Sequence, residues 1–145
     1  MTEAIYDRIA LAKEQLETAL DLFLDQRNYS AAVTLAGAAE EIFGGALTIK
    51  GGKSALDSSY ESMDEFHRMI HGKTLDKKSF VSQENIARDA LKHLQESKGP
   101  TITVDLQAAA CWMLVRALKN GRVLGLEFER FRDFDNWFYE NVVGV

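Results

Sequence analysis

Apolar residues recur at helical spacing along most of the chain. Spacings of three and four residues predict a first amphipathic helix from Glu3 to Gln26, with an apolar seam of Ile5, Ile9, Ala12, Leu16, Ala19 and Phe23. A second helix is expected from a cap at Asn28 or Ser30 to about Ile49. Its first half is apolar nearly all round, which is typical of a central helix that neighbours contact on several sides.

The third predicted helix runs from Ser54 to His71. Its buried face is predicted to consist of Leu56, Tyr60, Met63 and Ile70. His67 falls within that face, and His71 follows one turn later. Two histidines at this spacing can share a metal ion, but the sequence offers them no convincing further ligands. We therefore interpret His67 as a packed core residue and His71 as a cation near the helix C-terminus.

A fourth helix is predicted from Ser82 to Glu96, before the stop signal Gly99-Pro100, and a fifth from Thr103 or Asp105 to Gly121. The fifth helix has an apolar seam of Val104, Ala108, Cys111, Val115 and Leu118. The tail, residues 126–142, is rich in aromatic residues: Phe128, Phe131, Phe134, Trp137, Phe138 and Tyr139. Aromatic residues can stack on the bases of a nucleic acid. The acidic residues between these aromatics, however, would repel its phosphates. We therefore expect the tail to pack onto the bundle or onto a partner subunit.

The totals fit one domain over residues 1–145. A chain that is 46% hydrophobic and 27% charged is typical of a globular protein. Cys111 is the only cysteine, which excludes an internal disulfide. No run of about 18 apolar residues is present, and the start lacks a basic segment followed by an apolar one. We therefore expect no membrane span, no secretory signal and a cytoplasmic location.

The charge is distributed unevenly. A net charge of −5 does not suggest a general nucleic-acid binder. Between Arg68 and Lys98, however, seven bases face four acids, and all three histidines lie in or beside this region. The most basic part of the chain therefore surrounds the predicted fourth helix.

The polar side of the fourth helix groups chemically useful side chains. Its apolar arc is predicted to consist of Ile86, Ala87, Ala90, Leu91 and Leu94. Arg88 and His93 border opposite edges of this arc, and the open side between them carries Asn85, Asp89 and Lys92. Asp89 and His93 are one turn apart, so the carboxylate can orient the imidazole and stabilise its cation. Such spacings also arise by chance on many solvated helices.

Two acids interrupt the apolar run of the second helix. Glu40 and Glu41 have a simple interpretation as a solvated patch. The alternative is that one of them faces Arg88 or His93 across a groove, where the opposite charge would fix the Arg or hold the His protonated.

The segment Arg88-Asp89-Ala90-Leu91-Lys92-His93 resembles the signature of the HEPN superfamily: an Arg, four to six residues, then a His, usually with a polar residue after the Arg. The predicted order of helices, with a long helical hairpin before the signature and further helices after it, is similar to that of HEPN domains. The alanine-rich second helix with Glu40 and Glu41 resembles the acidic second helix of small HEPN-like proteins. Asp89 stands where Asn is commoner in the family.

The resemblance implies an all-α, HEPN-like up-and-down core, and together with the helical pattern it predicts a bundle of five to six helices. The aromatic residues of the tail indicate that the C-terminal helix is aromatic-rich. HEPN signatures open a cleft between two subunits or copies, so a homodimer is expected. Many HEPN proteins are metal-independent ribonucleases. By resemblance, His93 would activate the ribose 2′-hydroxyl or protonate the leaving oxygen, Arg88 would stabilise phosphate charge, and Asp89 would position His93. The expected binding residues around them are Asn85, Lys92, Glu40 and Glu41, with no metal and no cofactor.

Three functions stay open at this point. The first, and the leading hypothesis, is RNA cleavage or RNA binding at a cleft lined by Arg88 and His93. The second is a nucleotide- or anion-binding module without chemistry. The third is a helical scaffold or a toxin–antitoxin-type interaction protein. The overall acidity favours the second and third functions, whereas the local cluster of bases favours the first.

Overall fold

The computed structural model describes residues 1–144, and the regular secondary structure within them is entirely helical. The α-helices are α1 (Arg8–Leu24), α2 (Tyr29–Ile49), α3 (Ala55–His71), α4 (Lys77–Glu84), α5 (Ile86–Lys92), α6 (Leu106–Val123) and α7 (Phe131–Phe138). A 3₁₀ turn spans Glu96–Lys98, and a π-helical turn, Tyr139–Val143, continues α7. The predicted all-α bundle is confirmed. Residues 1–144 form seven α-helices rather than five or six, because two helices, α4 and α5, span Lys77 to Lys92 where a single helix from Ser82 to Glu96 was predicted. The predicted start at Ser82 is therefore wrong, since α4 begins at Lys77.

The core lies where α1, α2 and α6 meet. Helix α2 is the central element and packs against both of the others. Its small residues Ala32, Ala36 and Ala39 are fully buried and let the neighbouring backbones approach closely. Larger side chains fill the space between the three helices, namely Leu16, Leu20, Phe23, Val33, Phe43, Met113, Leu114 and Leu118. The prediction of a central, apolar second helix is therefore confirmed.

Helix α2 is also long and apolar enough, by length and composition, to cross a membrane. Half of its most apolar stretch is buried inside the bundle. A core helix passes the same test, so the property is weak evidence for a membrane span.

Helix α1 begins later than its apolar pattern predicts. The Asp7 side chain accepts a hydrogen bond from the Ile9 backbone N–H at 2.8 Å, and this cap starts the helix at Arg8. The predicted start at Glu3 is wrong, and Ile5 is exposed rather than part of the seam. The periodicity therefore continues beyond the point where the rest of the bundle offers a packing partner.

Helix α3 presents a different face to the bundle from the one its pattern predicts. Met63 and Ile70 are exposed, not buried. Asp64 faces inward instead: its carboxylate accepts a hydrogen bond from the Leu75 N–H at 2.7 Å and pairs with Arg68 at 2.9 Å. With Asp64 on the inner side of the helix, Met63 and Ile70 face outward. The pattern located an amphipathic helix but did not show which arc finds a partner.

His67 and His71 lie near the end of α3. His67 is only half-buried, and its Nδ1 lies 2.7 Å from the Lys73 carbonyl oxygen, so it is not a packed core residue. His71 is exposed in the last helical turn, as predicted. The two ring centroids are 4.7 Å apart. Among residues 1–144, no group of three or more His, Cys, Asp or Glu side chains is arranged to hold a metal ion.

Cys111 of α6 is a core residue, as predicted. Burial raises the pKa of its thiol to about 11, because the thiolate loses its hydration in the apolar interior. The thiol is therefore neutral near pH 7 and has the character of a small apolar side chain.

The aromatic tail packs onto the bundle, which confirms the first of the two expected arrangements. Phe134 and Trp137 of α7 both contact the ring of Phe23 on α1, with centroid distances of 5.6 and 4.6 Å. Arg130, in a left-handed conformation just before α7, donates hydrogen bonds to Asp21 and Asp25 of α1. The start of the tail is therefore tied to α1 by charge and its centre by aromatic packing. Helix α7 begins at residue 131, later than predicted.

Candidate functional site

The predicted fourth helix bends at Asn85. Backbone hydrogen bonds continue through the bend, from Asn85 N–H to the Val81 carbonyl and from Asp89 N–H to the Asn85 carbonyl. The Asn85 side chain is buried and accepts a hydrogen bond from Arg116 Nη1 at 3.0 Å instead of capping α5. The contact with Arg116 therefore holds the bend. The prediction that Asn85 lies on the open polar side is wrong.

Helix α5 ends at Lys92, four residues earlier than predicted. His93 has an extended backbone conformation and its side chain is exposed. The His93 N–H still donates the helical hydrogen bond to the Asp89 carbonyl oxygen at 2.9 Å, but within residues 1–144 no hydrogen bond or ion pair joins the Asp89 carboxylate to the imidazole. Asp89 instead accepts two hydrogen bonds from Arg88, from Nε and Nη2, both at 3.2 Å. The predicted role of Asp89 in orienting His93 is therefore not realised.

Arg88 is an interior residue rather than an exposed one. Its side chain is only 13% exposed, and the aliphatic part lies on Gly37 of α2, where a Cβ would come within 2.8 Å of Arg88 Cδ. Its Nη1 lies 3.9 Å from Glu40 Oε2 and 4.0 Å from Glu41 Oε2. The alternative to a solvated patch was that one of the two acids faces Arg88 or His93, and both acids approach Arg88.

Glu40 is the centre of a buried arginine–glutamate cluster, which we define as Glu40, Arg88 and Arg116. Glu40 is 4% exposed, which excludes the interpretation of that residue as part of a solvated patch. Its Oε1 accepts a hydrogen bond from Arg116 Nη2 at 2.9 Å. The contact with Arg116 is short and hydrogen-bonded, whereas the contact with Arg88 is long. Glu41, at the edge of the cluster, remains mostly exposed.

The sequence-based reasoning missed two residues of this region, Arg116 and Asn120. Asn120 is buried, donates a hydrogen bond to the Glu40 carbonyl oxygen and accepts one from the Ala55 N–H at 2.7 Å. It therefore joins α2, α6 and the start of α3. A signal for Arg116 was present, because it is the one charged residue between Asp105 and Lys119. A lone charge in an apolar helix is expected to have a buried partner.

A pocket of about 600 Å³ lies beside α5. We call it the α5 pocket; α5 forms one wall and the irregular segment from His93 to Val104 forms the other. Its polar lining consists of Ser82, Asp89, His93, Gln95, Lys98, Thr101 and Thr103. Ile86 and Leu94, which were expected to pack into the bundle, are exposed and contribute apolar lining to this pocket. The pocket combines an imidazole, an ammonium group and several hydroxyls.

Arg88 and His93 do not line one common cleft within a single chain. His93 borders the α5 pocket, whereas the guanidinium of Arg88 lies in the arginine–glutamate cluster on the other side of α5. Asp89 connects the two regions, since it binds Arg88 and also lines the pocket. Lys92 is exposed at the last position of α5 and makes no ion pair in the described part of the chain. One side of α5 is therefore an interior ion cluster and the other an open polar pocket.

Comparisons with known proteins do not assign the chain to a family. No family model matches the chain, and neither a curated protein nor a solved structure is similar enough to it to count as a match.

Proposed function

We propose that the chain is a HEPN-like helical protein that binds RNA at the α5 pocket and cleaves it there without a metal ion. The observation that carries this proposal is the position of His93, exposed in a pocket of about 600 Å³ that it shares with Lys98. An imidazole beside an ammonium group suits a phosphodiester, because one can transfer a proton while the other attracts the phosphate. Ser82, Thr101 and Thr103 add hydrogen-bonding groups for ribose or base edges.

The proposed reaction is attack of the ribose 2′-hydroxyl on the adjacent phosphorus. The new P–O2′ bond forms as the P–O5′ bond breaks, giving a 2′,3′-cyclic phosphate and a 5′-hydroxyl. His93 takes the proton from the 2′-hydroxyl while water gives one to the departing 5′-oxygen, or His93 gives that proton while water takes the one from the 2′-hydroxyl. Lys98 stabilises the added negative charge on the phosphate.

Arg88 enters this proposal in a different way from His93. Within one chain its charge is balanced by Asp89 at 3.2 Å and by Glu40 and Glu41 at longer range. If the guanidinium turned outward, Glu40 would keep its hydrogen bond to Arg116, so the buried carboxylate would not lose its last partner. We propose that Arg88 holds Asp89 at the pocket in the free protein and contributes to phosphate binding only across a homodimer cleft.

The test is cleavage of a fluorescently labelled single-stranded RNA in the presence of a chelator. Wild type should cleave, His93→Ala should lose about 10²- to 10⁴-fold in rate, and His71→Ala, the same change at another exposed histidine, should be unaffected. Binding of the same RNA by anisotropy separates the two parts of the proposal. No cleavage by wild type refutes the enzymatic part, and absence of both cleavage and binding refutes the whole.

A second candidate function is a protein-interaction module, and α3 favours it. Met63, Phe66, Met69 and Ile70 form an exposed apolar stripe along the outer side of this helix. Contiguous exposed apolar patches of this kind mark interaction sites in soluble proteins. Light scattering tests self-association: Ile70→Glu should dissociate an assembly that uses the stripe, whereas Ile5→Glu should not. If light scattering shows that the wild-type protein is a monomer at all concentrations, the proposed homodimer is refuted.

A further inference from the structure

A second concave region, distinct from the α5 pocket, lies between α6 and α7. We call it the α6–α7 groove; its volume is about 460 Å³. The apolar lining comes from Val115, Leu118 and Val123 of α6 and from Phe131, Phe134 and Phe138 of α7. On each helix these residues recur at spacings of three to five, so two apolar faces are directed towards one space.

The groove stays open because α7 is attached elsewhere. Phe134 and Trp137 pack on Phe23 of α1, and Arg130 binds carboxylates of α1. Phe138 reaches α6 through an edge-to-face contact with Trp112 at a centroid distance of 5.6 Å. Helix α7 is thus held against α1 along its length and against α6 only through Phe138 at its last residue. An apolar space therefore remains between α7 and the rest of α6. Concave, mostly apolar spaces of this volume are typical of sites that bind small molecules.

Two cations border the groove. Lys119 and Arg122 of α6 lie in its lining, and neither forms an ion pair with any residue in 1–144. The guanidinium carbon of Arg122 lies 4.3 Å from the centroid of the Phe131 ring, which holds its charge at the wall of the groove. Asp135 is the only acid in the lining, so the lining has a net positive charge.

We propose that the α6–α7 groove binds an amphipathic carboxylate, with an alkyl or aromatic body between the helices and its anionic group at Lys119 and Arg122. A twelve-carbon chain occupies roughly 350 Å³ at about 30 Å³ per heavy atom, the volume share of one water molecule, and so fits the groove. The single negative charge of such a ligand matches the excess of one positive charge in the lining. An amphiphile with a cationic group would instead be repelled by both bases.

The test is isothermal titration calorimetry of the full chain with dodecanoate, below the concentration at which it forms micelles. Dodecyltrimethylammonium, with the same chain length and opposite charge, should bind at least about tenfold more weakly. The double variant Lys119→Gln/Arg122→Gln should lose about three- to tenfold in dodecanoate affinity. Arg8→Gln/Lys78→Gln, which removes the same two groups elsewhere on the surface, should retain wild-type affinity.

A further variant tests the location of the site. Val123 is exposed and lines the groove, so Val123→Trp should fill the space and abolish binding of dodecanoate without disturbing the core. The proposal is overturned if dodecanoate does not bind, if it binds no better than its cationic counterpart, or if Val123→Trp binds normally. It is also overturned if light scattering shows that Val123→Trp dissociates a dimer, because the occupant of the groove is then a second copy of the chain.

Discussion

The arginine–glutamate cluster gives a quantitative prediction for Glu40→Leu. Glu40 is 4% exposed, and its closest partner, Arg116, has a side chain that is 11% exposed, so solvent screens their interaction little. Removing the carboxylate leaves the Arg116 guanidinium buried without an anion, while its Nε already lacks a hydrogen-bond partner. Breaking a buried pair in this way lowers the free energy of unfolding by about 3–5 kcal/mol. That is a large share of the roughly 5–15 kcal/mol typical of a domain.

A double-mutant cycle separates the charge pair from the lost volume. Arg116→Met alone should also destabilise, because Glu40 then keeps only Arg88 at 3.9 Å. The double variant Glu40→Leu/Arg116→Met replaces both charges by apolar groups and should be destabilised by only about 0–2 kcal/mol. Arg88→Met should have a smaller effect than Arg116→Met, because the contact of Arg88 with Glu40 is 3.9 Å long whereas that of Arg116 is 2.9 Å.

Urea unfolding followed by far-UV circular dichroism gives the free energy of unfolding of each variant in the cycle. These free energies can be compared if the variants have similar m-values. The structure predicts a coupling of at least about 2 kcal/mol between Glu40 and Arg116. A loss below about 1 kcal/mol for Glu40→Leu, or additive single effects, would refute the conclusion that this pair is buried and interdependent.

Two further predictions concern packing and pH. Gly121→Ala should lower the free energy of unfolding by about 1–3 kcal/mol, because the added methyl would overlap a buried phenylalanine ring. Gly45 also lies in a helix, but a Cβ added there would meet no atom within 4 Å, so Gly45→Ala should raise the free energy of unfolding by about 0.5–1 kcal/mol. If the two substitutions change stability equally, the packing around Gly121 is not as described. Hydrogen bonding to Lys77 lowers the pKa of Asp57 from its ordinary value of 3.8, so its stabilisation is complete only above that value. The stability difference between wild type and Asp57→Asn should shrink as the pH falls below 3.8; a difference constant down to pH 2 would exclude the effect.

The sequence predicted those parts of the fold that depend on local pattern. The cap at Asn28, the end of α2 at Ile49 and the cap at Asp105 all lie where turn and capping residues indicated. The burial of Cys111 followed from its place in an apolar seam. These features were predictable because each is decided by a few neighbouring residues.

The candidate site was predicted less well because it depends on contacts distant in sequence. The bend at Asn85 requires Arg116, which is 31 residues away. The end of α5 at Lys92 depends on where packing partners stop, and residues 91–103 are exposed. A helical wheel gives the direction of a side chain but not its partner, so it did not show that the Asp89 carboxylate binds Arg88 rather than His93. The approach of Glu40 to Arg88, in contrast, was among the alternatives because a charge in an apolar run requires a partner.

The irregular wall of the α5 pocket has a consequence for how such a protein diversifies. Residues 93–103 are exposed, so substitutions, insertions and deletions there leave the buried core untouched. Helix α5, on the opposite wall, is fixed to α2 through Arg88 and Gly37. The wall formed by α5 is thus constrained by folding, whereas the wall formed by residues 93–103 is not. Related chains can therefore acquire different ligand preferences through changes in residues 93–103 alone.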